Sequence, residues 1–302
     1  MSTLEIAREA PGVDGPNADT LARDAARERR RLLGLSLPAL VLVGLLLVLP
    51  VGWLFYLSVV DQDAYSLVHY QRLVQEPAYV TILWNTVKVS VLVTVICVLL
   101  GYPLAYLLAQ LPPRAANLGL IVVILPLWTA LLVRTYAWLV LLQRRGLVNT
   151  LLVNLGLAAE PIPLVHNMTG TVIGMTHILL PFLVLPLYAS MRAIDPDYVR
   201  AAAGLGASPI RAFRQVFLPL SLPGLTAGLL LVFVLCLGFY VTPALLGGGK
   251  TYLVAMKIEQ NVNTYFAWGA SSSLAVVLLV SVGLLFAVLH RVFAIPRLFG
   301  IR

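Results

Sequence analysis

Long apolar runs alternate with short polar segments along almost the whole chain. Runs without Asp, Glu, Lys or Arg cover residues 32–60, 89–111, 115–133, 161–191, 215–249 and 260–289. A membrane-spanning helix needs about 20 mostly apolar residues, and a charged residue at its centre costs about 2.5–3.5 kcal/mol. The pattern therefore predicts six membrane-spanning helices, at 35–60, 79–109, 118–142, 169–191, 222–246 and 271–292.

Composition excludes the main alternatives to a membrane protein. Of the 302 residues, 60% are hydrophobic and only 11% are charged, whereas soluble domains carry about 25% charged residues. The same figures exclude a disordered chain, which needs low hydrophobicity and high charge. The composition thus predicts an all-α polytopic protein embedded in a lipid bilayer.

The basic residues are distributed unevenly between the two predicted sides of the membrane. Of 21 Lys and Arg residues, 14 lie on the side that holds both termini and five on the other, with Lys88 and Arg134 inside predicted spans. Cytoplasmic segments carry such an excess, so we expect both termini in the cytoplasm. This placement also explains the net charge of +8 without nucleic acid as a partner.

Three regions follow from these predictions. Residues 1–34 form a cytoplasmic tail, residues 35–292 the six-helix domain, and residues 293–302 a short cytoplasmic C-terminal tail. The first tail carries a charged run at 19–31, DTLARDAARERRR. This run fits either an amphipathic helix at the membrane surface or a simple positive anchor of the first span.

The connection between the fourth and fifth spans, residues 192–221, has the signals of two short helices. Asp195 followed by Pro196 is typical of a helix start. The Ala-rich segment Tyr198–Leu205 then favours a helix, and Gly206 suits the left-handed residue that ends one. The pattern predicts a helix, a glycine turn and a second helix on the cytoplasmic side.

The second of these helices is expected to start at Ser208 and Pro209. Pro219 and Pro223 are expected to end it before the fifth span begins. The residue types alone leave two interpretations open, an ordinary amphipathic connector or a docking surface whose small residues let another protein approach closely.

The segment resembles the EAA loop of ABC-importer permeases, E-A-A, three residues, G, nine residues, I-x-L-P. It reads Arg200-Ala201-Ala202, then Gly206, then Val216-Phe217-Leu218-Pro219, without a gap. In that family the loop docks on a cytoplasmic ATPase. The resemblance implies a coupling role for Asp195, Asp197, Arg200, Ala201, Ala202, Gly206, Ala207, Ser208, Leu218 and Pro219.

This chain departs from the family pattern at the first position of the motif. Arg200 stands where the family has Glu, which reverses the charge. Asp195 and Asp197 are the candidates to supply the missing negative charge.

More of the chain is similar to one branch, the spermidine/putrescine-type permeases. The similar segments begin NTVKVSVLV at 85, LVRTYAWLV at 132, ILLPFLVLP at 178 and FYVTPALLG at 239. The resemblance implies a type I ABC-importer permease of the bacterial inner membrane that performs alternating access for a small solute of the polyamine type. It also implies four kinds of partner: a second, non-identical permease subunit, a cytoplasmic ATPase dimer, a solute-binding protein outside and the lipid bilayer.

On this interpretation the chain carries no cofactor and catalyses no reaction. ATP and Mg²⁺ belong to the partner ATPase. The sequence also shows no His/Cys/acid cluster with metal-ligand spacing and no paired nucleophile and base.

Candidates for the translocation path are one cation and several aromatic residues near the predicted spans. Arg134 is either a functional group facing the path or a structural arginine between helices. Aromatic faces attract cations, and the residues that offer them are Tyr136, Trp138, Tyr102, Trp128, Phe239 and Tyr240.

The alternative function is an ion-coupled secondary carrier that works without an ATPase. Such carriers often use carboxylates buried within the membrane. All 13 acidic residues fall outside the predicted spans, and this distribution weighs against the carrier.

Overall fold

The computed structural model describes residues 16–61 and 64–298, and nearly all of them are helical. The chain divides into two compact units, residues 1–56 and 57–302. The helices are α1 (Pro16–Ser58), α2 (Val68–Gln75), α3 (Pro77–Gln110), α4 (Pro113–Ile124), α5 (Leu131–Leu142), α6 (Leu147–Asn154), α7 (Met168–Arg192), α8 (Pro196–Gly204), α9 (Pro209–Ala212), α10 (Leu218–Leu237), α11 (Val241–Leu246), α12 (Val254–Asn263) and α13 (Trp268–Leu298).

Helix α1 carries the first predicted span and part of the predicted N-terminal tail. Its membrane-compatible segment is Gly34–Ser58, close to the predicted 35–60. The helix begins at Pro16, so the charged run at 19–31 is helical and continues directly into the span. Residues 1–15 of the predicted tail lie outside the described residues.

A short hairpin connects α1 to α2. Strands β1 (Val60–Asp61) and β2 (Ala64–Tyr65) pair antiparallel, with Val60 opposite Tyr65. The hydroxyl of Tyr70 donates to Oγ of Ser58 at 2.8 Å, which ties α2 to the end of the preceding helix.

Within residues 16–61 and 64–298, five unbroken helical segments and one bent pair are apolar and long enough to cross a membrane. The unbroken ones are Gly34–Ser58, Pro77–Gln110, Met168–Arg192, Pro209–Leu237 and Trp268–Val288. With the bent pair counted as one span, the total is six, as predicted. The second, fourth and sixth spans start within about three residues of their predicted positions.

The predicted third span, 118–142, is wrong as a single helix. The chain forms α4, then a 3₁₀ turn over Leu125–Trp128, and then α5 after a break. The helices before and after the break differ in direction by 96°. Pro126 lies in the 3₁₀ turn, and a proline removes a backbone donor and disfavours a continuous α-helix.

The predicted fifth span, 222–246, is displaced towards the N-terminus. Helix α10 ends at Leu237, Gly238 caps it, and α11 forms a separate helix. Phe239 and Tyr240 therefore lie between two helices rather than inside a span.

Helices α3, α7 and α10 form the core of the second unit. Side chains of Val93, Leu183 and Val232 meet there and are fully buried. Gly228 of α10 favours this close approach, because a Cβ at that position would lie only 3.0–3.1 Å from backbone atoms of Leu183. Small residues at the contact let helices in a membrane pack closely.

Candidate coupling site and translocation residues

The connection 192–221 forms the predicted helical elbow, which we define as residues Asp195–Pro219. Asp195 caps α8, since its carboxylate accepts a hydrogen bond from the backbone N–H of Asp197 at 2.9 Å. Pro196 occupies the first turn, where its missing N–H costs nothing. Asp197, also in the first turn, places a negative charge at the positive end of the helix dipole.

Gly206 ends α8 as the sequence predicts. Its φ of +84° is in the left-handed region, which costs other residues about 1–2 kcal/mol. The N–H of Ala207 donates to the carbonyl of Ala202, and that of Gly206 to the carbonyl of Ala203, at 3.0 and 2.9 Å. This pair of bonds is a Schellman motif, so the turn is fixed by its own backbone.

The second arm of the elbow begins at Ser208, whose hydroxyl accepts from the N–H of Arg211 at 3.4 Å. The prediction that Pro219 and Pro223 end this arm is wrong. Helix α9 continues through a π-helical turn, Phe213–Phe217, directly into α10. Leu218 N–H donates to the Phe213 carbonyl across that wide turn, so Pro219 enters at the first turn of α10, where helices tolerate proline. The elbow is therefore continuous with the fifth span.

Aromatic rings anchor the second arm to the membrane domain. Tyr106 of α3 packs edge-on against Phe213 and Phe217, with ring centroids 5.6 and 5.1 Å apart. Tyr102, one turn earlier, meets Phe213 at 6.3 Å and hydrogen-bonds Ser221 at 3.0 Å. Phe213 and Phe217 are four residues apart in the sequence, and their partners on α3 are more than 100 residues away.

Arg192, the last residue of α7, connects this helix to the end of α3. Its guanidinium donates to the carbonyl of Ala109 at 2.9 Å, one of the carbonyls left unpaired at the end of α3. Arg192, Tyr106, Val199 and Phe213 line a cavity of about 720 Å³ between α3, α7 and the elbow. No sequence motif pointed to Arg192, since its partner is a backbone atom far along the chain.

The outer surface of the elbow exposes large apolar residues beside the charged side chains of Asp197 and Arg200. Leu205 is 90% exposed, Ile210 68% and Tyr198 59%. Ala201 and Ala203 are also exposed, whereas Val199 on the other face packs against the core. The elbow thus has one face that packs against the membrane domain and one that exposes apolar residues, of which Ile210 also lines a groove with Tyr102 and Tyr106.

The charge-reversed residue of the motif has a partner within its own helix. Nη1 of Arg200 lies 2.9 Å from Oδ1 of Asp197, and both side chains are largely exposed. Of the two candidate carboxylates, Asp197 is the one that pairs with Arg200. Leu218, like Pro219, lies at the start of α10 rather than on the exposed part of the elbow.

Arg134 lies in the first turn of α5, just after the break in the third span. Its Nε and Nη1 are buried without a hydrogen-bond partner in residues 16–61 and 64–298. His177 of α7 lies near the Arg134 guanidinium. The rings of His177 and Trp138 pack against each other with their centroids 5.5 Å apart. The structure therefore groups two of the predicted residues, Arg134 and Trp138, with a histidine of α7.

The other path candidates are scattered rather than gathered at one place. Trp128 and Tyr136 are exposed on either side of the break in the third span. Phe239 packs against the core, and Tyr240 is partly exposed near Tyr252. Tyr102 belongs to the elbow anchor instead.

The architecture is that of a polytopic helical membrane protein with a helical elbow next to one end of its core helices. Residues 32–298 match the family of binding-protein-dependent transport system inner membrane components, and the chain belongs to this family. It is thus a multi-pass inner-membrane permease subunit of an ABC importer, a transport component and not an enzyme. This membership does not favour the secondary carrier.

Two of the relatives have a more specific description. The spermidine/putrescine transport system permease protein PotB of Haemophilus influenzae is 36% identical, over 71% of this chain and 75% of that protein. PotB of Escherichia coli is 34% identical, over 75% and 82% of the two chains.

Solved structures share the fold. A chain of a bacterial alginate ABC transporter, crystallised with an alginate-bound periplasmic protein, aligns with a TM-score of 0.66. The alignment covers 88% of this chain and 94% of that one at 18% identity.

Proposed function

We propose that this chain is one of two permease subunits of a polyamine importer, coupled to a separate cytoplasmic ATPase through the elbow. The exposed apolar face of the elbow carries the proposal. An exposed leucine, isoleucine and tyrosine grouped on one short segment mark a protein contact site, and the elbow matches the family's motif in spacing. ATP and Mg²⁺ belong to the partner ATPase.

The structure supports a direct mechanical link from elbow to pathway. The second arm runs without a break into α10, which packs along α7 in the core. Rings on α3 hold the same arm. A movement imposed on the elbow by the ATPase is therefore transmitted to α10 and α3 together, and this movement opens the pathway alternately to the two sides.

The proposed topology places the elbow and both termini in the cytoplasm. The excess of Lys and Arg on that side supports this orientation. The opposite end of the bundle then receives the solute from an extracytoplasmic binding protein. The relatives named for spermidine and putrescine support a polyamine as the solute.

The second permease subunit is proposed to differ from this one. Arg134 has buried nitrogen atoms without a partner within residues 16–61 and 64–298, and an unpaired charge is costly inside a membrane. A carboxylate on the other subunit is the natural counter-charge, and it also provides the acidic lining for a cationic solute that this chain lacks within its spans.

The test is ATP-driven uptake by the complete transporter in proteoliposomes. The four components are reconstituted with the binding protein outside, and labelled spermidine is counted inside. We expect uptake with ATP and none with a non-hydrolysable analogue. Uptake that persists without ATP contradicts the proposal, as does spermidine-independent ATP hydrolysis with no uptake of any polyamine.

A further inference from the structure

A group of polar and aromatic side chains surrounds an ammonium group at the start of α3. Nζ of Lys257 lies 5.9 Å from the ring centre of Tyr79 and 5.2 Å from that of Tyr265. It also donates to Oε1 of Gln260 at 3.2 Å, and the hydroxyl of Tyr252 donates to the same oxygen at 3.0 Å. We call these five residues the ammonium cage.

The cage lies far from the elbow. Tyr79 is at the first turn of α3, and Tyr106, which anchors the elbow, is near its last turn. A helix rises about 1.5 Å per residue, so the two positions are about 40 Å apart. In the proposed orientation the cage is on the extracytoplasmic side, where the binding protein delivers the solute.

Lys257 is held without being neutralised. No carboxylate forms an ion pair with it among the residues that the structure describes. Aromatic faces and an amide oxygen hold a cation only weakly at partly exposed sites, so this ammonium is exchangeable rather than locked in place.

The surroundings keep the cage in a form that binds cations. Burial raises the pKa of Tyr252, and the nearby Glu259 carboxylate raises it further. The hydroxyl of Tyr252 therefore stays protonated and continues to orient the Gln260 oxygen towards the ammonium. Glu259, which accepts from Asn263 at 3.2 Å, is the only acidic residue of the segment 247–270.

We propose that the cage is a binding site for a primary alkylammonium group, in which Lys257 is a tethered placeholder that the incoming substrate displaces. A lysine side chain is a four-carbon chain that ends in an ammonium group, the same chemistry as the aminobutyl end of putrescine or spermidine. A site that holds the ammonium group of a lysine side chain therefore also fits the aminobutyl end of a polyamine. This inference rests on the polyamine function proposed above.

The experiment measures how fast Lys257 reacts with an amine-acetylating reagent in the complete transporter in nanodiscs, followed by mass spectrometry. Lys250, an exposed lysine of the same segment, is the internal control. Spermidine is itself a primary amine and consumes the reagent, so the reagent is kept in excess over spermidine and the rate at Lys257 is divided by the rate at Lys250. When spermidine displaces Lys257 from the cage, this ratio rises by about two- to fivefold, the factor expected for losing a cation–π contact. Sodium chloride at equal ionic strength leaves the ratio unchanged.

Matched variants test the role of the rings. Tyr265→Leu removes an aromatic face and is expected to abolish the spermidine effect on Lys257, with a faster rate already in its absence. Tyr265→Phe keeps the face and is expected to behave like the wild type. Equal responses of the leucine and phenylalanine variants overturn the proposal.

Failure of the cage and failure of the polyamine function give different results. If the transporter takes up spermidine but spermidine leaves Lys257 acetylation unchanged, the cage proposal is wrong and the function stands. If there is no spermidine uptake, the function is wrong, and the acetylation assay with spermidine and methylammonium still decides whether the cage binds ammonium groups.

Discussion

The elbow and the segment from Gly247 to Ala267 both connect consecutive spans, yet they present opposite surfaces. In the elbow Leu205 and Ile210 are 90% and 68% exposed, whereas in the other segment Leu253 and Val254 are 1% and 0% exposed. The outer segment buries its apolar residues at the start of α12, although Tyr265 and Phe266 at its other end are 58% and 73% exposed. The elbow exposes apolar residues in both of its arms, as expected of a surface that another protein covers.

The two connections are also attached differently. The N–H of Val254 donates to the hydroxyl of Thr86 at 2.9 Å in a buried position, which fixes that segment to α3. The elbow is attached by rings and by its continuity with α10, both of which permit movement as one body. The difference indicates that the segment from Gly247 to Ala267 is stationary and that the elbow moves as one body.

The largest expected effect comes from a charge on the exposed face of the elbow. Leu205→Asp is expected to abolish association with the ATPase, because charging the centre of a docking surface costs about 2–4 kcal/mol or more. Co-purification of the ATPase with the tagged chain measures it. The control is Tyr65→Asp at a similarly exposed position in the hairpin, and this variant should retain the ATPase. Normal co-purification of the ATPase with the Leu205→Asp variant would contradict a docking surface on the elbow.

A second prediction concerns the buried attachment of the outer segment. Thr86→Val leaves the Val254 N–H unpaired and is expected to destabilise the protein by about 1–3 kcal/mol. Thermal unfolding in detergent measures the change, and Thr86→Ser, which keeps the hydroxyl, should be near wild type. Equal stability of the valine and serine variants would show that this bond does not hold the segment.

The glycine turn of the elbow gives an intermediate effect. Gly206→Ala forces alanine into the left-handed region at a cost of about 1–2 kcal/mol, so we expect a several-fold loss of ATP-driven uptake with normal membrane insertion. The control is Gly204→Ala, which adds the same methyl group two residues earlier. Gly204 is the last residue of the helix α8, and a Cβ there would meet no atom outside its own helix within 4 Å. Loss of uptake in both variants would point to the added methyl groups rather than to the turn.

The smallest effect is expected at the charge-reversed position. Arg200→Ala breaks an exposed ion pair with Asp197, and such pairs in helices contribute about 0.3–0.5 kcal/mol. Helix stability and ATPase association should change little. A large loss of association measured by co-purification would instead assign Arg200 a direct contact with the partner.

Local signals made the elbow predictable from the sequence. The cap at Asp195, the proline that follows it and the glycine turn act within a few residues, so their effect does not depend on the rest of the fold. The fourth span, predicted at 169–191, was also close to correct, because its apolar length determines it and its helix continues through Pro181 and Pro186.

The errors arose where the fold depends on distant contacts or on prolines with two possible roles. Pro126 breaks the third span, while Pro219 is accommodated after a π-helical turn. Nothing local distinguishes these outcomes. The grouping of Lys257 with Tyr79 joins residues far apart in the chain, and no spacing rule brings such residues together.

The central claim is that the exposed face of the elbow is where the ATPase binds. The direct test places a photoreactive phenylalanine analogue at position 205 in cells, with position 65 as the control, and identifies the crosslinked protein by mass spectrometry. We expect a crosslink from position 205 to a subunit that carries an ATP-binding motif, and none to that subunit from position 65. Crosslinks from position 205 only to lipid or to proteins without such a motif would contradict it.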